Sequence, residues 1–150
     1  MKIYLGADHA GFELKEKIKS FLSEKGFEIE DCGAFEFNKN DDYPNLISKA
    51  AIKTSRNPYS FGIVFGKSGT GECIVANKHK GIRAFLAINE KNVKLAREHN
   101  DANIISFGSE FVTLEEVKKL TKLFLETPFS KDKRHIRRIN EIKEIENSQT

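Results

Sequence analysis

Short apolar runs alternate along this chain with longer stretches in which apolar residues recur at helical spacing. Residues 3–7 and 61–65 are two such runs, and each is followed by a turn and a helical stretch. Residues 103–107 form another run of the same kind. Strands that are apolar on both faces and separated by helices are typical of a parallel sheet covered on both sides. The pattern predicts a three-layer α/β/α, Rossmann-like domain.

Five strands can be placed, at residues 3–7, 27–32, 61–65, 82–87 and 103–107. The second of them is indicated by alternating apolar and polar residues and not by an apolar run. We therefore expect a five-stranded, mainly parallel sheet. No repeat or long linker divides the chain, so we expect one domain over residues 1–150. The last helix is predicted from about Asp132 to Glu146.

Composition narrows the class of protein. A hydrophobic content of 39% with 31% charged residues is that of an ordinary globular protein. A net charge of +3 is too small to indicate nucleic-acid binding. Cys32 and Cys73 form no C-x-x-C pair, so no zinc cluster is predicted, and they fit a reducing compartment. No apolar segment has the length of a signal peptide or a membrane span, so we expect a cytoplasmic protein without membrane or nucleic-acid partners.

The glycine-rich loop at residues 66–72 follows the third predicted strand and opens a helix. Free N–H groups at such a point favour an anionic or oxyanionic ligand. The spacing misses the nucleotide P-loop by one residue, because only three residues separate Gly62 from Gly66. Glu72, a carboxylate at the mouth of this loop, does not suit an anion-binding site. It suits a proton-transfer enzyme, although a helix-capping role is the alternative.

Polar residues elsewhere could join this loop. Asp8 and His9 follow the first strand, where ligands of such sheets bind, although Asp8 could simply cap a helix. His99 and Asn100 end the helix before the fifth strand and could be an ordinary helix terminus. Arginines at 134 and 138 share one helix face and could hold a phosphate or form a solvated basic surface.

The chain resembles the ribose-5-phosphate isomerase B family, which includes allose- and galactose-6-phosphate isomerases. The resemblance is carried by Gly6-Ala7-Asp8-His9-Ala10-Gly11-Phe12, Asp42-Tyr43-Pro44, Ser68-Gly69-Thr70-Gly71-Glu72 with Ala76-Asn77-Lys78, Gly81-Ile82-Arg83-Ala84, Arg97-Glu98-His99-Asn100-Asp101-Ala102-Asn103, Phe107-Gly108-Ser109, and Arg134-His135 with Arg138. These pieces occur in the family's order and span nearly the whole chain.

The resemblance implies a cofactor-free aldose–ketose isomerase that interconverts ribose 5-phosphate and ribulose 5-phosphate. Such enzymes open the sugar ring and move a proton between C1 and C2 through a cis-enediolate. It also implies a homodimer or homotetramer with shared active sites, in which the C-terminal helix reaches toward a partner subunit. The base in this family is a cysteine at the position of Gly66 or a glutamate at the position of Glu72. This chain resembles the glutamate type, and we expect water exclusion by bound sugar to raise the basicity of Glu72.

Roles for individual residues follow from the same resemblance. Catalytic roles fall on Glu72 as the base, on Ser68 with the N–H groups of Gly69, Thr70 and Gly71 at the enediolate, and on His99 with Asp8 in ring opening. Binding roles fall on His9, Arg134 and Arg138 at the phosphate, the arginines coming from the partner subunit, and on Tyr43 and Asn100 at the sugar. No metal ligand is implied.

Two residues depart from the family pattern. Glu110 stands where an arginine that helps to hold the phosphate is usual, and Lys67 stands where glycine is usual. We expect Lys67 or Arg137 to restore the lost positive charge. If neither does, the alternatives are isomerisation of a six-carbon sugar phosphate, or sugar-phosphate binding without turnover.

Overall fold

The computed structural model describes residues 1–149 of the chain. These residues form five strands, each followed by a helix, and a sixth helix at the end. The strands are β1 (Lys2–Ala7), β2 (Glu28–Asp31), β3 (Ser60–Gly66), β4 (Ala84–Leu86) and β5 (Ile104–Gly108). The helices are α1 (His9–Glu24), α2 (Tyr43–Arg56), α3 (Thr70–Asn77), α4 (Glu90–Asn100), α5 (Leu114–Glu126) and α6 (Lys133–Asn147).

The strands form one sheet in the order β2-β1-β3-β5-β4, and every neighbouring pair is parallel. The predicted five-stranded, mainly parallel sheet is thus confirmed. β4 is shorter than predicted because the residues before it form a turn, in which the Ile82 N–H donates to the carbonyl of His79 at 3.1 Å. β4 is also an edge strand, paired on one side only, to β5.

Helices cover both faces of the sheet. Successive residues of a strand point to opposite faces, so one strand contributes to a core on each side. Ile63 and Phe65 of β3 belong to the core that α1, α4 and α5 cover. Val64, between them, belongs to a second core together with Ile47 of α2 and Ala76 of α3. The unbroken apolar strands are explained by these two cores, and the predicted α/β/α layering is confirmed.

The strand order reverses beside β1. The chain passes from β1 to β2 on one side of it and then returns to β3 on the other side. Connections that leave neighbouring strands toward opposite faces open a crevice at the carboxyl ends of those strands. The residues that follow β1 and β3, from Asp8 and from Lys67 onward, therefore lie side by side.

Helix α6 follows the predicted bounds closely. Its N-cap is Asp132, whose side chain accepts a hydrogen bond from the Arg134 N–H at 3.0 Å. Within residues 1–149, every helix is too short or too polar to cross a lipid bilayer.

Candidate active site

The glycine loop places a carboxylate against the end of β3. Helix α3 begins at Thr70, and its N-cap Gly69 has a left-handed conformation with φ of 77°. Glu72 therefore lies in the first turn of α3, and its side chain folds back over Gly66. A Cβ atom on Gly66 would overlap the Glu72 carboxylate. A side chain at position 66 would therefore require the Glu72 carboxylate to move from the place it occupies here.

Glu72 is 4% exposed. Burial raises the pKa of its carboxyl group, and the nearby negative charge of Asp8 raises it further. The backbone N–H groups of Glu72 and Gly69 act in the opposite direction, but the pKa remains above the ordinary value. The basicity of Glu72 is therefore raised in the unliganded protein, before any sugar excludes water.

Asp8 occupies the adjoining strand end. Its Oδ1 accepts hydrogen bonds from the N–H groups of Ala10 at 3.0 Å and Gly11 at 3.1 Å, so Asp8 does cap α1. Asp8 is also 7% exposed and close enough to act on the charge of Glu72. The capping alternative is therefore correct and does not remove Asp8 from the site.

His9 faces an acidic partner from the loop before α2. Both its backbone N–H, at 2.9 Å, and its ring Nδ1, at 2.7 Å, contact Oδ1 of Asp41. This hydrogen bond raises the pKa of His9. Sequence reasoning missed Asp41, because no pattern links it to a histidine 32 residues earlier. Its one signal is its place next to the Asp42-Tyr43-Pro44 motif.

The remaining predicted residues of the loop also lie at this edge. The ring of Tyr43 packs on Gly71, where a Cβ atom would lie 2.7 Å from the Tyr43 Cζ. The Thr70 N–H donates to Oγ of Ser68 at 3.2 Å. The N–H groups of Thr70 and Gly69 thus face protein oxygens here, so an enediolate would have to compete with Ser68 and Glu72 for them.

Lys67 is exposed, and its carbonyl accepts a hydrogen bond from the Glu110 N–H at 3.1 Å. The two residues that depart from the family pattern are therefore neighbours at the mouth of the loop. Whether Lys67 supplies the missing charge stays a prediction.

Asp8, His9 and Asp41 each bring one potential metal-ligand atom within 4.8 Å of the others. Hydrogen bonds already engage Oδ1 of Asp8, Oδ1 of Asp41 and Nδ1 of His9. The Asp41 carboxylate is an acceptor, so the His9 Nδ1 must carry a hydrogen and cannot ligate a metal in this arrangement.

Cys73 follows Glu72 on α3 and is half-buried. Burial raises the pKa of its thiol, and the charge of Glu72 raises it further. Its thiolate form is disfavoured, which argues against a nucleophilic role.

Four predicted site residues lie at the opposite edge of the sheet. Helix α4 connects two parallel strands and must run against them, so His99 and Asn100 at its end lie at the amino edge. The Asn100 carbonyl accepts from the Arg83 side chain, just before β4, at 2.8 Å. Helix α6 begins there too, since the His99 and His135 rings stack with centroids 4.2 Å apart. A seven-residue strand such as β3 spans about 20 Å.

Within one chain, the predicted residues therefore form two groups. The carboxyl-edge group comprises Asp8, His9, Tyr43 and residues 67–72. The amino-edge group comprises His99, Asn100, Arg134 and Arg138. The structure does not bring the two groups together in a single chain.

A residue to which sequence reasoning gave no role lies beside the amino-edge group. His135 is buried between α4 and α6, and Oγ of Ser130 hydrogen-bonds its Nδ1 at 2.7 Å. Burial lowers the pKa of His135, and the neighbouring His99 and Arg134 lower it further. His135 thus packs against the ring of His99. Arg134 and Arg138 remain exposed.

Comparison with known proteins identifies the family of the chain. Residues 3–142 match the family model described as Ribose/Galactose Isomerase. Ribose-5-phosphate isomerase B of Mycolicibacterium paratuberculosis is 47% identical over 97% of this chain and 92% of its own length. The Escherichia coli protein of that name is 37% identical over 97% of this chain and 96% of its own.

A solved structure is also very similar. Ribose-5-phosphate isomerase B from Mycoplasma genitalium, with bound ribulose-5-phosphate, superimposes with a TM-score of 0.94 at 38% identity. The superposition covers 99% of this chain and 97% of that one. Because the family model matches residues 3–142 and the relatives are this similar, the chain belongs to the ribose/galactose isomerase family.

Proposed function

We propose that this chain interconverts ribose 5-phosphate and ribulose 5-phosphate. The observation that carries the proposal is the buried Glu72 carboxylate, held over Gly66 with a raised pKa at the carboxyl edge of the sheet. A general base is most effective when its pKa approaches the working pH. The name shared by the relatives and the sugar phosphate bound to one of them support the same reaction.

The chemistry follows from the residues at hand. Once the ring is open, Glu72 takes the proton from C2 of the aldose, and the electron pair forms the C1–C2 double bond of an enediolate. Ser68 and the N–H groups of the α3 first turn stabilise the negative oxygen. Transfer of the hydroxyl proton from O2 to O1, with return of the carbon proton to C1, gives the ketose. His99 and Asp8 transfer the protons that open the ring. No step of this sequence requires a cofactor.

The phosphate is assigned to the cationic groups around the site. His9 carries a raised pKa at the carboxyl edge, and Lys67 lies exposed at the mouth of the loop. Arg134 and Arg138 present two guanidinium groups from one face of α6, a geometry that suits phosphate.

We further propose that the active site is shared between two copies of this chain. His99 and the α6 arginines lie at the amino edge, about 20 Å from Glu72 by the length of β3. They can act on one sugar with Glu72 only if they come from another copy. Helix α6 also exposes Ile136, Ile142 and Ile145, which are suited to a subunit contact.

Assay of the purified protein with ribose 5-phosphate, following ribulose 5-phosphate by NMR, tests the function. Glu72→Gln should lower kcat by about 10²- to 10⁴-fold with little change in KM, since Glu72 acts on the carbon-bound proton and not on the phosphate. Glu115→Gln is a matched control, because Glu115 lies in the first turn of α5 and is exposed.

The outcomes separate the alternatives. A Glu72→Gln variant with near wild-type kcat removes the mechanism. A wild-type protein that turns over only six-carbon sugar phosphates changes the substrate, and one that binds ribose 5-phosphate without converting it is a binding protein.

A further inference from the structure

Asp41 contacts His9, a residue of the site, and the proposed chemistry leaves Asp41 without a role. It lies at the end of the loop between β2 and α2, and its side chain is 12% exposed. Oδ1 receives both the backbone N–H and the ring Nδ1 of His9. Oδ2 is buried and has no hydrogen-bond partner within residues 1–149.

The charged side chains that act on the His9 ring among residues 1–149 are two carboxylates. Asp41 approaches from the loop, and Asp8 lies at the N-cap of α1, next to His9 in sequence. Phe37 meets the ring edge-on, with centroids 6.3 Å apart, and carries no charge. His9 is the ionic partner of Asp41 among the described residues, so the field of this carboxylate is not shared with another cation.

The geometry also decides which ring nitrogen faces outward. A carboxylate at 2.7 Å accepts the hydrogen of Nδ1, which leaves Nε2 as the other polar atom of the ring. A second contact, from the His9 backbone to the same oxygen, ties the start of α1 to the loop. His9 is thereby held by Asp41 through both its backbone N–H and its imidazole ring.

We propose that Asp41 is a positioning residue that orients the His9 ring, with Nε2–H toward the phosphate of the sugar, and keeps that ring protonated. The role of His9 at the phosphate rests on the proposed function. The contact between Asp41 and His9 does not. Asp41 itself touches neither the sugar nor the phosphate in this scheme and acts through His9.

The pH dependence has a defined sign. His9 is cationic below its raised pKa, so phosphate binding weakens as pH rises through that pKa. Removal of the Asp41 charge lowers the pKa of His9 and moves this loss to lower pH. The phosphate group of the substrate also titrates, with a pKa near 6, but it does so equally in wild type and variant. The difference between the two proteins therefore reports His9.

The experiment compares wild type, Asp41→Asn and Glu36→Gln. Asn keeps the shape and the acceptor oxygen but removes the charge, and Glu36 is an exposed carboxylate of the same loop. NMR titration of the histidine rings, with His9 assigned from a His9→Gln variant, should show the His9 midpoint about one pH unit lower in Asp41→Asn. It should stay unchanged in Glu36→Gln.

Kinetics supply the second readout. In Asp41→Asn the alkaline fall of kcat/KM for ribose 5-phosphate should move to lower pH, and KM at pH 8 should rise several-fold while kcat changes little. Asp41→Ala, which removes the acceptor too, should raise KM further. Circular dichroism shows whether each variant is folded.

The two proposals fail in different ways. If the wild-type protein turns over ribose 5-phosphate but His9 titrates at the same pH in wild type and Asp41→Asn, the role of Asp41 is overturned and the function stands. If the wild-type protein has no turnover, the function fails, while the titration still decides whether Asp41 holds the charge of His9.

Discussion

Glu72 is a residue whose placement works against stability. A carboxylate that is 4% exposed and has a raised pKa is more costly to ionise in the folded chain than in water. Burial under functional constraint is a common reason why active-site residues lower stability. Glu72→Gln, the variant that should slow turnover under the proposed mechanism, should therefore stabilise the fold.

The sign of this effect can be followed with pH. Because the folded pKa of Glu72 is raised, the folded state holds more protons than the unfolded state between the two pKa values, and stability falls as pH rises through that interval. Glu72→Gln should thus raise Tm at pH 7 to 8, and the gain should shrink as pH falls below the raised pKa. Thermal unfolding across this pH range measures it.

The control for this prediction is Glu115→Gln, an exposed carboxylate whose loss should change stability by less than about 0.5 kcal/mol. A Glu72→Gln protein with a lower Tm than wild type at pH 7.5 would show that the hydrogen bonds of the carboxylate outweigh its burial.

Sequence reasoning reached individual site residues unevenly. Asp8, His9 and Glu72 could be located because each follows an apolar strand, and ligand sites of parallel sheets lie at those ends. Asp41 and His135 could not be assigned roles in this way. Their partners, His9 and His99, lie 32 and 36 positions away, and nothing local in the sequence encodes those contacts.

At the scale of elements, Arg97 joins more pieces of structure than sequence reasoning suggested. Its guanidinium donates to the carbonyls of Thr127 at 3.0 Å and Ala102 at 2.7 Å. It lies over the rings of Phe61 and Phe124, at 4.8 Å and 5.9 Å from their centroids. One buried side chain thus ties α4 to the end of α5 and to β3, close to the start of α6.

Loss of the Arg97 side chain should lower the stability of the fold. Arg97→Ala leaves two buried carbonyls without a donor and opens a cavity between two aromatic rings, so the free energy of unfolding should fall by about 3 kcal/mol. Urea denaturation measures the change. Arg56→Ala, in the exposed last turn of α2, should shift the free energy by less than about 0.5 kcal/mol. Equal urea midpoints for wild type and Arg97→Ala would contradict this role.

Element boundaries show where periodicity alone is insufficient. Strands β1, β3 and β5 were predicted from apolar runs, and both cores explain why those runs are unbroken. Helix α3 begins at Thr70, three residues earlier than its apolar pattern indicates, because a left-handed Gly69 allows the chain to turn directly into the helix. That early start is what brings Glu72 back over Gly66.

At the scale of the whole molecule, the division of the site into two groups is a consequence of topology. A helix between parallel strands returns the chain to the amino edge, so residues at the end of α4 cannot reach the carboxyl edge of their own sheet. The start of α6 packs beside that end of α4 and is held at the same edge. The sequence places His99 and the arginines correctly on their elements. It does not show that those elements end on the far side of the sheet from Glu72.

A shared site predicts complementation between two inactive variants. Glu72→Gln disables the carboxyl-edge group and leaves the amino-edge group intact, whereas His99→Asn does the reverse. In a dimer of one chain of each, one site combines both defects and the other combines both intact groups. Random assortment makes half of the dimers mixed, so co-expression in equal amounts should restore about a quarter of the wild-type rate.

The control for complementation pairs Glu72→Gln with Ser68→Ala, two defects in the same group. Both defects lie in the carboxyl-edge group, so every site in the mixed dimer retains one of them. Activity should therefore stay at the mean of the rates of the two single variants. If His99 and Glu72 act within one chain instead, each mixed dimer contains only defective sites, and the first pair should show no restoration either. Restoration confined to the first pair therefore requires that each active site takes Glu72 from one copy and His99 from another.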